Sequence, residues 1–399
     1  MPPIPPLDLT QQYQTLAPEV NTAVTELLAS GRYIGGAAVA DFEQAFATYL
    51  GVSHVIGCNS GTDALYLALR ALKIGPGDEV ITSPFTFFAT AEMITAVGAT
   101  PVFVDIEPDT LNLDLNQLEA AITDRTRAII PVHLFGQPLD LSRLCAIARA
   151  YNLFVIEDCA QATGADWAGQ KVGTWGDIGC FSFFPTKNLG ACGDGGAVST
   201  QDPDLAQKIR ILKEHGSPQR YYHTEIGINS RLDAVQAVIL TIKLRYLDQW
   251  NAQRRAVADR YTQALQTIPG LIPPHPPQGG TSVWHQYTIR IPACTDPRPC
   301  AATATPCDRA AGDSTTGDAA PPCRDWVRQQ LQQQDISTMI YYPVPLHQQE
   351  VYASLGYQPG QLPIAEQAAR EVLSLPMFPE LTPEQQDQIT IALKSILKP

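Results

Sequence analysis

The sequence predicts an α/β protein, a large domain on a mainly parallel sheet followed by a smaller α+β domain. Three observations lead there. Between residues 54 and 200 short apolar strands alternate with helical segments, the pattern of a sheet buried on both faces. At 399 residues the chain is longer than one small core can organise. Beyond about residue 245 the alternation stops and isolated strands and helices follow.

Residues 10–50 read as amphipathic helices interrupted at Ser30-Gly31-Arg32-Tyr33-Ile34-Gly35-Gly36, which is either a mobile loop or a plain helix connection. The first strand covers 54–59. It runs into the turn Ser60-Gly61-Thr62-Asp63 and a helix at 64–72. Such a turn either holds an anion on the free N–H groups of the helix start, or is a simple cap by Ser60 or Thr62. Further strands fall at 79–83, 101–105, 128–132 and 153–158, with helices after Thr86, at 115–122 and at 141–151. Ligands of such sheets gather at the carboxyl ends of strands, where Ser60, Ser83, Asp158 and the approach to Lys187 lie. No Gly-x-Gly-x-x-Gly follows the first strand and no Walker A sequence occurs, which argues against dinucleotide and P-loop sites.

A strand at 196–200 is followed by helical patterns at 204–215 and from 233 through about 250, and the domain boundary is placed inside that long helix. The large domain is then residues 1–245 and the small one 246–399, with a strand at 286–291, a helix at 323–334 and a strand at 338–342. Residues 293–322, rich in Ala, Pro, Thr and Asp without a hydrophobic period, read as a low-complexity surface insertion.

Composition narrows the function. Hydrophobic content of 45% and charged content of 17% fit a soluble globular enzyme or binding protein. A net charge of -13 argues against non-specific binding of nucleic acid or anionic membrane, so any phosphate must be held locally. The first residues lack a basic region and an apolar core, and no segment reaches 18 uninterrupted apolar residues, so a cytoplasmic location is expected. Of nine cysteines, Cys58, Cys145, Cys159, Cys180 and Cys192 read as reduced, buried thiols. Cys294, Cys300, Cys307 and Cys323 lack zinc-site spacing, and no metal is expected.

The chemistry centres on Phe181-Ser182-Phe183-Phe184-Pro185-Thr186-Lys187-Asn188-Leu189-Gly190, which sets one lysine in a turn directly after an apolar run. By itself Lys187 is either a solvated residue or a functional amine whose pKa burial lowers. Asp158 and the Ser60 turn bear on the choice. Pyridoxal phosphate needs an anchor for its phosphate, an acid that keeps its ring nitrogen protonated, and a lysine to carry it and shuttle protons. All three residue types stand at strand ends here.

The chain resembles the DegT/DnrJ/EryC/StrS-type nucleotide-sugar aminotransferases of pyridoxal-phosphate fold type I. The resemblance runs along nearly the whole chain outside 293–322. It rests on Ser60-Gly61-Thr62-Asp63-Ala64-Leu65, Glu157-Asp158-Cys159-Ala160-Gln161, Ser182 to Gly190, Gly227-Ile228-Asn229-Ser230-Arg231-Leu232-Asp233 and Tyr341-Tyr342-Pro343-Val344-Pro345-Leu346-His347. It implies a seven-stranded sheet in the large domain and pyridoxal 5′-phosphate as cofactor. It further implies that Lys187 and Asp158 are catalytic, that Gly61, Thr62 and Ser182 bind the phosphate, that Phe87 stacks on the ring, and that Gln161 lies near the ring's phenolic oxygen. Asn229 would reach the phosphate of the neighbouring subunit, making the site a product of homodimerisation. Tyr33, Arg231, Tyr342 and His347 match positions around the sugar or amino donor, whereas Phe184 lacks the polar group that relatives often carry there. The implied reaction moves an amino group from L-glutamate to a keto group, expected at C3, of a nucleotide-linked sugar. Two alternatives stand beside it: a sugar dehydratase of the same family, against which Lys187 weighs because those enzymes carry histidine there, and a non-catalytic regulatory protein that holds the cofactor.

Overall fold

Alternating side chains build the central sheet, and the computed structural model describes it within residues 3–292 and 324–397. The segment 293–322 and the cysteines at 294, 300, 307 and 323 lie outside the described residues. The chain opens with α1 (Thr10–Ser30) and α2 (Ala37–Leu50), followed by β1 (His54–Cys58), α3 (Gly61–Ala71), β2 (Glu79–Thr82), α4 (Ala89–Ala96), β3 (Thr100–Phe103) and β4 (Thr126–Ile130). Next come α5 (Leu141–Ala150), β5 (Phe154–Asp158), the short β6 (Asp166–Trp167) and β7 (Gln170–Lys171), then β8 (Ile178–Ser182), β9 (Gly196–Thr200), α6 (Pro203–Leu212) and α7 (Ala234–Leu244). The remainder is α8 (Leu247–Leu265), β10 (Gly280–Thr281), β11 (Tyr287–Arg290), α9 (Arg324–Gln332), α10 (Pro363–Glu371), β12 (Val372–Leu375) and α11 (Pro383–Ile396).

Seven strands form one sheet in the order β1-β9-β8-β5-β4-β2-β3. Pairing is parallel from β8 through β3, and only β9 runs antiparallel to its two neighbours. Successive side chains of a strand point to opposite faces. Thus Val55, Ile129, Val155 and Phe181 join α2, α5 and α7 in one core. Ile56, Ala128, Ile130, Ile156 and Cys180 join α3, α4 and α6 in the other. Both faces are covered, as the apolar strands require. Phe42 and Phe46 of α2 meet Phe183 and Phe181 edge to face at 5.4 and 5.1 Å, which packs the segment just ahead of Lys187 from behind.

The C-terminal part carries its own core, in which α8, α9 and α11 surround the antiparallel pair β11–β12. Three local expectations change. The helix expected at 115–122 is one 3₁₀ turn, Glu119–Ala121, because Asp114 accepts the N–H of Asn116 and the amide of Gln117 and so offers the backbone a turn instead. The helix expected through 250 is two helices, divided at Arg245 and Tyr246. The strand expected at 338–342 is a single bridge, Met339 with Ser374, since the chain beyond it leaves to line a cavity. The strand that pairs with β11 is instead β12, whose apolar run follows α10 without a break and so carries no separate sequence signal.

Candidate active site

The register of the sheet brings the strand tips together. Because β9 is antiparallel to both β1 and β8, those two strands are parallel to each other, and Cys58 and Ser182 both pair with Gly196. The carboxyl ends of β1, β5 and β8 therefore share one edge, the position at which α/β sheets bind ligands. A cavity of about 640 Å³ opens there. It is lined by Gly61, Thr62, Phe87, Asp158, Gln161, Ser182, Lys187 and Tyr342, eight of the twelve residues singled out in the sequence.

At one end of the cavity lies the start of α3. Ser60 accepts the N–H of Asp63 at 3.0 Å, so the serine of the turn is the helix cap, and Gly61 and Thr62 are left facing the cavity. Gly61 must be glycine, since a Cβ there would stand 2.7 Å from the Cβ of Ser182. Across the turn, a Cβ on Gly196 would lie 2.3 Å from the carbonyl carbon of Ser60, so β9 and the turn approach backbone to backbone. The result is a cradle of small side chains, hydroxyls and a helix N-terminus, a donor set that suits a phosphate.

Asp158 ends β5 and is buried. Its carboxylate accepts the Thr90 hydroxyl at 2.9 Å and the Ala160 N–H at 3.1 Å. Burial pushes its pKa up, against which the two hydrogen bonds and the charge of Lys187 pull down. Lys187 is half-buried in the turn after β8. Burial lowers its ammonium to about 8, with Asp158 opposing the shift. The lysine thus lines a cleft rather than standing solvated on the surface. Gln161 is fixed at both ends: its Oε1 accepts the N–H of Phe135 at 2.6 Å, and its Nε2 donates to the Tyr342 hydroxyl at 3.1 Å. Phe87 is 58% exposed on the cavity wall, with its ring 6.4 Å from that of Tyr342.

Four predicted site residues stand elsewhere in this chain. Tyr33 is exposed and donates its hydroxyl to the Leu28 carbonyl at 3.1 Å. Arg231 binds both carboxylate oxygens of Glu214, at 2.9 and 2.8 Å from Nε, and also donates to Asn229. Arg231 lines a second, open cleft with Ile34, Lys213 and Glu214, and the Tyr33 segment joins it through the Ile34–Asp233 bridge. His347 is buried and does not line the cavity. Its Nε2 faces Glu366 at 3.3 Å and burial lowers its pKa, because the chain turns at Leu346 and directs the next side chain away towards α10.

Sequence reasoning missed Thr90, Asn188 and His285. Thr90 lies in α4, far in sequence from the Asp158 it bonds, and His285 just before β11, far from the lysine turn, so no spacing could have flagged them. Of the five cysteines expected to be buried, Cys192 is exposed; all five are free thiols. His133, Glu157 and Cys159 are close enough to ligate a metal. His133 and Glu157 are, however, already engaged: Leu139 N–H donates to His133 Nδ1 at 3.3 Å, which leaves Nε2–H to donate to Glu157, and Glu157 also accepts three backbone N–H groups.

A lysine with a lowered pKa, a strand-end carboxylate and a phosphate cradle around one cavity, on a seven-stranded mainly parallel sheet, define the class: a pyridoxal-phosphate enzyme of fold type I. Comparison narrows this. The model of the DegT/DnrJ/EryC1/StrS aminotransferase family matches residues 14–302 and 315–394, and the chain belongs to that family. It is 48% identical over 388 residues to the "Pleiotropic regulatory protein" of Geobacillus stearothermophilus, covering 97% of this chain and 96% of that one. It is 45% identical over 394 residues to the UDP-N-acetyl-3-dehydro-alpha-D-glucosamine 3-aminotransferase of Acidithiobacillus ferrooxidans, covering 99% and 98%. The crystal structure of S. venezuelae DesV in complex with a ketimine intermediate superposes with a TM-score of 0.90 at 41% identity, over the full length of both chains. The cofactor is pyridoxal 5′-phosphate.

Proposed function

We propose that this protein is an aminotransferase that takes an amino group from L-glutamate and passes it to the C3 ketone of a nucleotide-linked sugar. The observation that carries the reading is the meeting of Lys187, Asp158 and the start of α3 on one cavity. Gly61, Thr62 and Ser182 would hold the cofactor phosphate, Asp158 would pair with the ring nitrogen, Phe87 would stack on the ring, and Gln161 would lie near its phenolic oxygen. Bound there, pyridoxal phosphate supplies an electron sink for the carbon that loses its proton.

The chain's own residues do the rest. Asp158, held by Thr90 and Ala160, is a fixed anion that keeps a nitrogen opposite it protonated. Lys187 carries the cofactor at rest and moves the proton on and off the substrate carbon through Nζ. An amine with a pKa of about 8 is deprotonated for about a quarter of the time at pH 7.5, so both the acid and the base form are at hand. Phe87, Tyr341 and Tyr342 wall the cavity and limit water around those groups.

Ketone position C3 is favoured by the name of the Acidithiobacillus relative, a 3-aminotransferase of a 3-dehydro sugar nucleotide. Asn229 acts in the neighbouring subunit of a homodimer, a role supported by its bond to Arg231, which lines the second cleft together with the exposed Tyr221. Among the described residues no helix is long and apolar enough to cross a membrane, and the reaction is proposed for the cytoplasm. The name of the Geobacillus relative favours a second reading, a regulatory protein that holds the cofactor without turnover. One experiment separates them. Purified protein given L-glutamate should convert its bound cofactor to the amine form and release 2-oxoglutarate, and a panel of 3-keto and 4-keto nucleotide sugars should then return an amino sugar at C3. Lys187→Ala should abolish both halves. Absence of the glutamate half-reaction would leave only the regulatory reading.

A further inference from the structure

The residue after the lysine is tied down on three sides. Asn188 is buried and donates both amide hydrogens, to Oδ1 of Asn251 at 2.8 Å and to the Val283 carbonyl at 2.9 Å. Its own oxygen can then only accept, and the group it faces is Nδ1 of His285 at 3.1 Å. Nδ1 must therefore carry the hydrogen, which makes Nε2 a lone-pair acceptor. His285 is itself buried, and it lines the same cavity as Lys187. Arg254 of α8 clamps the histidine's backbone, donating to the carbonyls of Trp284 at 3.3 Å and His285 at 3.5 Å. Burial, the charge of Lys187 and the charge of Arg254 all push the imidazole well below its ordinary range, so the ring is neutral near pH 7.

We propose that His285 is a positioning residue of the transamination: through Nδ1–H···Oδ1 of Asn188 it fixes the direction in which Lys187 enters the cavity. The proposal rests on the assignment of Lys187 as the reacting amine. Its geometry links the C-terminal core to the lysine turn, since Asn251 and Arg254 lie on α8 while His285 precedes β11. A proton-shuttling amine is sensitive to such support, because a displacement of about 1 Å can cost roughly 10²-fold in rate.

Two amide substitutions separate the ring nitrogens. His285→Asn keeps a donor at the Nδ1 position, whereas His285→Gln places its donor near Nε2 and leaves Asn188 without a partner. In the full-length holoenzyme, H285N should keep the glutamate half-reaction within about threefold of the parent. H285Q should slow it about 10- to 100-fold, with the KM for glutamate changed less than threefold. The pH midpoint of the bound cofactor's visible band should stay in place in H285N and move in H285Q. A merely structural role would lower the thermal midpoint of both variants and leave that spectral midpoint alone. Asn188→Ala removes the acceptor and keeps the test open if H285Q fails to fold: it should show the same rate and spectral changes. Parent-like rate and midpoint in H285Q or N188A, or H285N as slow as H285Q, would overturn the proposal. Loss of the half-reaction in all variants and in the parent would instead count against the proposed activity.

Discussion

The cost of burying Lys187 can be read from the pH dependence of stability. Its ammonium drops from the ordinary 10.5 to about 8 in the folded protein, which corresponds to about 3 kcal/mol. Below pH 8 the lysine is charged in both the folded and the unfolded chain, and the fold bears the whole cost. Between pH 8 and 10.5 the unfolded chain still binds the proton that the folded one has released, so stability rises with pH; above that the cost is gone. Lys187→Met keeps the apolar stem and has nothing to titrate. Removing the lysine's charge also takes from Asp158 one of the influences that oppose the rise burial gives its pKa. Thermal midpoints of the cofactor-free protein, parent against K187M at matched concentration, should therefore diverge with pH. The parent should gain about 3–4 °C on the variant between pH 7.5 and 10. Parallel curves would mean that the amine is not depressed by burial, and would refute the account of Lys187 as a pre-set proton shuttle.

Three further outcomes follow from the same geometry. Thr90→Val removes a hydrogen bond to the buried Asp158 carboxylate, a loss of about 1.5–3 kcal/mol; cofactor affinity by equilibrium dialysis should fall about 10- to 100-fold, and Thr90→Ser should restore it. Gly61→Ala forces a methyl against Ser182 at 2.7 Å and should weaken cofactor binding by more than about tenfold with the far-ultraviolet circular dichroism unchanged. If Asn229 serves the neighbouring subunit, inactive Lys187→Ala and impaired Asn229→Ala chains, refolded together in equal amounts, should recover about a quarter of the parent's sites, whereas recovery of none would mean that Asn229 serves its own subunit's site.

Much of this architecture is legible in the chain because strands buried on both faces write themselves as apolar runs. β1, β2, β4 and β5 fall within one or two residues of where the pattern puts them. Expectation failed where one local pattern serves two structures. The run at 338–342 has the composition of a strand, but it makes a single bridge before Tyr341 and Tyr342 turn to the cavity. The site divides in the same way. Lys187, Asp158 and Gly61 sit at strand tips, where a short motif and the topology rule together point to a ligand. Thr90, Asn188 and His285 act on those residues through side-chain hydrogen bonds that cross 63 to 97 positions of chain, and nothing local distinguishes such a threonine from any other in a helix.

His347 shows the converse. It stands in a motif next to cavity-lining residues, yet Leu346 is the side chain that reaches the cavity, and the histidine points back at Glu366. A motif fixes the path of the backbone; the direction of each side chain along it is set by what packs behind. Glu366 also accepts the Gly360 N–H at 2.7 Å, and the neighbouring Ile364 and Ala365 N–H groups are held by the buried Asp105 at 2.9 Å. Two carboxylates thus occupy the space between α10 and the tip of β3, and a histidine behind the cavity wall satisfies one of them. His347 accordingly packs behind the wall, whereas Lys187 and Asp158 line the cavity itself.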